Sequence, residues 1–66
     1  MHEHVQLEVS LEIIMAEIAN KMQELRNAKE KDKEKIEKEL EEIIKLQDEA
    51  YKGNRKAVLK ILNREF

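Results

Sequence analysis

The residues able to do chemistry are few and poorly placed for it. Both histidines, His2 and His4, stand in the first four positions, with Glu3 between them. On an extended strand the two imidazoles would point the same way, and on a helix Glu8 lies one turn beyond His4. A zinc site needs three or four ligands in fixed geometry. Two histidines at the start of a chain fall short of that, so no metal site is assigned. Ser10 is the one serine, and a Ser–His–acid triad would need His2 or His4 held rigidly. There is no Cys, which removes a thiolate nucleophile, a thiolate metal site and a disulfide. A single Gly, Gly53, leaves no phosphate-cradling loop. The 15 Asp and Glu alternate with Lys on what read as solvated helix faces. Catalysis needs convergent groups in a protected pocket, which carboxylates spread over solvated faces do not form. No enzyme activity and no cofactor are expected. Met15 and Met22 share a stripe at helical spacing and read as packing residues, because Met fills irregular gaps.

A basic segment is the remaining chemical feature. Residues 52–66 carry Lys52, Arg55, Lys56, Lys60 and Arg64 against Glu65. Such cations could neutralise phosphates. The chain as a whole is at −2, however, and no aromatic residue is interleaved among them for base stacking. The acidic front balances the basic end: residues 1–25 hold five Glu against Lys21. Opposite charges at the two ends attract each other, within a chain or between copies. Nucleic-acid binding is the alternative reading rather than the leading one.

The elements that must position these residues follow from composition. Sixty-six residues with no Pro and 42% charged residues favour long helices in one small domain. A core this small supplies roughly 3–5 kcal/mol, so a partner chain is the natural further support. No apolar run approaches the roughly 20 residues of a membrane span. No signal peptide is expected, and the lack of Cys suits a cytoplasmic protein.

Along 4–13 every second residue is apolar: Val5, Leu7, Val9, Leu11 and Ile13. Strict alternation signals a half-buried strand. A longer run overlaps it. Leu7, Leu11, Ile14, Ile18, Met22 and Leu25 recur every three or four residues, the spacing of a helix seam. Val5, Val9, Ile13 and Ala16 then form a second stripe on the opposite side, which becomes the candidate oligomer interface. Helix is the preferred reading for about 5–28, with residues 1–4 loose. In the strand alternative Ser10 would cap the helix that follows. A strand shared across a dimer and followed by two helices resembles the ribbon–helix–helix DNA-binding fold in element order. That resemblance implies groove contacts from His4, Gln6, Glu8 and Ser10, yet the basic residues expected around such a ribbon are missing.

The stretch 26–35 holds one apolar residue, Ala28, and reads as a hairpin turn, with Asn27 ending one helix and Asp32 capping the next. The alternative is a single unbroken helix. Residues 33–52 form the second helix, with Ile36, Leu40, Ile43, Ile44, Ala50 and Tyr51 on one face and Gln47 inside it. Gly53 stops it, and Asn54 caps a short third helix over about 54–64. The fold expected is all-α: a helical hairpin plus a short C-terminal helix, self-associating into a helical bundle with coiled-coil character. Its seam sets the first helix's stripe against Ile36, Leu40, Ile43, Ile44 and Tyr51. The function expected is a small interaction or regulatory module. Its partner is itself, as a homodimer or higher oligomer, or another helical protein.

Overall fold

The structure, a computed structural model, describes residues 3–66, with side chains from His4 onward. Three helices follow one another: α1 over Glu3–Asn27, α2 over Glu30–Tyr51 and α3 over Arg55–Leu62. No strand occurs among the described residues. Residues 4–10 are therefore helical, and the ribbon–helix–helix order does not arise. The alternation there is two helical stripes on opposite sides of α1. Residues 1 and 2 of the expected loose end lie outside the described residues. Glu3 and His4 already belong to α1.

The turn between α1 and α2 is shorter than the charge run around it. The Ala28 N–H donates to the Leu25 carbonyl at 3.3 Å, and Lys29 takes an extended backbone, φ −74° and ψ 154°. That one extended residue lets α2 start at Glu30, three residues before the expected 33. Asp32 is thus inside the first turn rather than at the cap. Its backbone N–H donates to the Lys29 carbonyl at 2.9 Å. Its charge, with that of Glu30, still lies where the helix dipole favours anions.

The second connection is tighter still. Gly53 takes φ +85°, its N–H donates to Ala50 at 3.0 Å, and the Asn54 N–H donates to Glu49 at 3.0 Å. This two-bond closure satisfies carbonyls that a helix end leaves orphaned. Asn54 then opens α3. Its Oδ1 accepts from the N–H groups of Lys56 at 3.0 Å and Ala57 at 3.4 Å, while its Nδ2 donates to Glu49 Oε2 at 2.8 Å. One side chain ties the end of α2 to the start of α3. The third helix ends at Leu62, short of the expected 64, because Arg64 turns left-handed at φ 56° and repeats the same closure.

The molecule is long and narrow, with extents of 43 × 16 × 15 Å. Since α3 has only eight residues, about 12 Å of helix, it covers part of one side of the hairpin. The core forms where all three helices meet: Ile14 from α1, Ile43 and Ala50 from α2, and Ala57, Val58 and Ile61 from α3. Leu7, Leu11, Ile13, Ile18, Leu46 and Leu62 pack around it, partly buried. Ser10 is also fully buried. It sits within α1, not at a helix start, and its Oγ donates to the Leu7 carbonyl at 2.7 Å. Its polar group is thereby satisfied, and its burial leaves no orphan.

Candidate functional site: an open apolar face on the hairpin

The expected seam divides in two when placed on the structure. Ile14, Ile36 and Ile43 are buried, and Leu7, Leu11, Ile18, Leu25 and Leu40 are half-buried. Met22, Ile44 and Tyr51 are not in the intrachain seam: they are 46%, 44% and 62% exposed. Met15, also read as a packing residue, is 57% exposed. The reason is geometric. An apolar arc near 100° wide is broader than one neighbouring helix can cover. The side of the arc nearest α3 is buried, and the opposite side is left in solvent. Conversely, Leu46 packs against the core without having been expected there.

These exposed side chains share one face. Met15, Ala19 and Met22 of α1 line a shallow groove of about 320 Å³ with Ile44 and Gln47 of α2, floored by Ile18. Tyr51 continues the line along α2, one and two turns past Gln47 and Ile44. Scattered exposed apolar residues are ordinary on a protein surface. Here several stand side by side on one face of the hairpin.

The second stripe has a different fate. Val5, Val9 and Ile13 are half-buried, with Ile13 packed against the core, and Ala16 is exposed. It presents small or partly covered side chains. Of the two apolar stripes, the row along Met15, Met22, Ile44 and Tyr51 is the larger exposed feature.

Charges frame the hairpin. The Lys21 side chain is 17% exposed and reaches Glu24 Oε2 at 3.4 Å and Glu39 Oε2 at 3.6 Å, joining α1 to α2. Burial lowers the Lys21 pKa, but the two carboxylates, Glu39 foremost, outweigh it and leave the ammonium above its ordinary value. Glu34 and Lys38 form an exposed i,i+4 pair at 3.7 Å. Beyond the end of α3, Glu17, Lys21, Glu39, Glu42 and Lys60 edge a groove of about 300 Å³. Carboxylates and ammoniums alternate there, so no single ligand charge is favoured.

The basic residues gather around α3. Lys52, Arg55, Lys56, Lys60 and Arg64 are all exposed. They are not one surface: Lys60 faces the mixed-charge groove, and Lys52 bonds Asp48 Oδ2 at 2.9 Å, which raises the pKa of its ammonium. Of the histidine pair, His2 lies outside the described residues. His4 is exposed and borders a groove with Gln6, Leu7, Gly53, Arg55 and Val58. Among the described residues no three His, Asp or Glu side chains are grouped to hold a metal. Nor is any helix among them long and apolar enough to cross a membrane.

No family model, no curated protein and no solved structure matches the chain.

Proposed function

We propose that this chain is a small non-enzymatic helical interaction module that works as a homo-oligomer through the open face of its hairpin. One observation carries the reading: Met15, Met22 and Ile44 stand exposed over a shared groove between α1 and α2, with Tyr51 exposed further along α2. Burying a large aliphatic side chain is worth about 1.5–3 kcal/mol, so several together can offset the cost of association. The small core of a 66-residue chain adds a second motive, since a partner chain would cover the side that α3 leaves open. The test is sedimentation equilibrium of the chain beside Ile44→Lys, with far-UV circular dichroism on both. An oligomer that Ile44→Lys dissociates without loss of helix supports the reading. A wild-type chain that stays monomeric at millimolar concentration overturns it.

A second reading rests on the exposed cations around α3: contact with nucleic acid. It predicts salt-dependent binding of DNA or RNA that Lys56→Glu weakens. No binding at low salt removes it.

A further inference from the structure

The open face carries a pattern that selects its own partner and the direction in which that partner lies. On α1 the row along this face is Glu8, Glu12, Met15, Ala19, Met22 and Arg26. The steps are four, three, four, three and four residues, the spacing that keeps a row on one side of a helix. On α2 the row is Lys33, Glu37, Leu40, Ile44, Gln47 and Tyr51, with the same steps. Each row is apolar in the middle and polar or amphipathic at the ends. The α1 row is acidic at its start and basic at its finish. Glu8, Glu12 and Arg26 are exposed and form no ion pair among the described residues.

A sequence of steps that reads the same in both directions can lie antiparallel on a copy of itself. The α1 row is centred on Glu17 and the α2 row on residue 42, Glu42. These two side chains edge the same groove on the other side of the hairpin, near the Lys21–Glu39 pair, so the two centres stand at one height. A single two-fold axis through that height therefore serves both rows. It lays α1 antiparallel on α1 and α2 antiparallel on α2.

We propose that the module is an antiparallel two-fold dimer, in which a second copy covers the open face and Glu8 of each protomer meets Arg26 of the other. This rests on the homo-oligomeric reading above and adds its orientation. Met15 then faces Ala19 of the other protomer, and Leu40 faces Ile44, so large side chains alternate with smaller ones or with each other at the centre. Glu37 meets Gln47, and Lys33 meets the Tyr51 ring, a pairing that suits an ammonium and a phenol. The parallel arrangement fails on charge. With both turns at one end, α1 would lie on α2 at equal height, setting Arg26 against Lys33. Like charges in direct opposition are destabilising. A copy covering this whole side would take at most a footprint on the order of 700 Å², set by the molecule's extents of 43 × 16 Å, a little under the roughly 800 Å² per partner of a standard interface.

A charge-swap pair tests the orientation. Glu8→Arg makes a homodimer with two Arg–Arg contacts, and Arg26→Glu makes one with two Glu–Glu contacts. Each variant alone should associate about three- to tenfold more weakly than wild type. An equimolar mixture restores both contacts as Arg–Glu pairs, so it should form a heterodimer of wild-type strength. Either change also disturbs a helix end, but loss of helix stability would not be repaired by mixing. Because the chain has no Cys, trapping gives a second readout. Chains with Glu8→Cys and chains with Arg26→Cys should form a mixed disulfide. If wild type is a dimer that Ile44→Lys dissociates, but mixing restores nothing and Arg26→Cys chains link to Lys33→Cys chains, the antiparallel orientation is overturned while the module reading stands. A monomeric wild type overturns both.

Discussion

The two sides of the α1–α2 hairpin are built from the same kinds of residue and end in opposite states. On one side Ile14, Ile43 and Ala50 are buried, two of them completely, beneath Ala57, Val58 and Ile61 of α3. On the other, Met15, Met22, Ile44 and Tyr51 stand in water. Hydrophobicity does not distinguish them: Ile43 and Ile44 are neighbours and identical. What differs is whether a third element lies over the face. In a chain this short, the covering element decides which side becomes core and which stays in solvent.

The largest expected effect breaks that comparison at its centre. Ile14→Ala should cost about 2–5 kcal/mol, as deletions of fully buried aliphatic groups do. That is comparable with the whole stability of so small a core, so the variant should be largely unfolded by circular dichroism at room temperature. Ile44→Ala, measured by urea titration at a concentration below association, should change stability by less than about 0.5 kcal/mol. Equal costs for the two substitutions would mean that the open face is packed within a single chain, and the comparison would fail.

Periodicity made much of this arrangement legible in advance. Ile36, Ile43 and Ala50 recur every seven residues, and each is buried. Gly53 and Asn54 announce a stop and a start, and both act as such. The hairpin turn was readable from the missing apolar seam around Ala28. What could not be read was the edge of each arc that α3 would take. That depends on the direction in which the Gly53–Asn54 connection swings the chain, a property of three dimensions. Hence Met22, Ile44 and Tyr51 looked like seam residues, and Leu46, on the covered edge, did not. Ser10 belongs to the strand alternative as a cap and to the preferred helix as an interior residue, and it is interior: its hydroxyl bonds the Leu7 carbonyl within α1, and its small size suits a fully buried position.

The next effect sharpens the comparison by loosening the cover instead of the core. Asn54→Ala removes the acceptor for the Lys56 and Ala57 N–H groups and the bond to Glu49. A lost cap costs about 0.5–2 kcal/mol. Amide hydrogen exchange should accelerate in α3 first, before the turn end of the hairpin. Uniform acceleration along the chain would instead mean that α3 and the hairpin open only together.

Alkaline pH acts between the two faces. Lys21 is held above its ordinary pKa by Glu39 and Glu24 despite the opposing effect of burial. A group whose pKa is raised on folding contributes its full stabilisation below the unfolded value and loses it as pH climbs through the folded one. Stability from this bridge should therefore be constant through neutral pH and fall in the strongly alkaline range. Lys21→Met should be less stable than wild type at pH 7 by under about 1 kcal/mol, since the carboxylate partners are partly in solvent. The gap should narrow at high pH, and a gap that stays constant would remove the ion pair as its cause.

The smallest effect should run in the stabilising direction. The ends of α2 and α3 are closed by the same pair of backbone bonds, yet one left-handed position holds Gly53 at φ +85° and the other Arg64 at φ 56°. A side chain in this region crowds its own backbone, at roughly 1–2 kcal/mol for a residue with a Cβ. Gly escapes that crowding but loses more conformational freedom on folding. Replacing Arg64 with Gly should therefore stabilise the chain by a net amount of about 0.5 kcal/mol, seen as a small rise in the urea midpoint. Gly53→Ala is the mirror experiment. No atom lies within 4 Å of the added Cβ, so any loss of stability reports backbone strain alone. If Arg64→Gly destabilises while Gly53→Ala also does, the Arg64 side chain holds the end of α3 by more than its backbone. Cover over the buried face would then depend on the basic residues as well as on apolar burial.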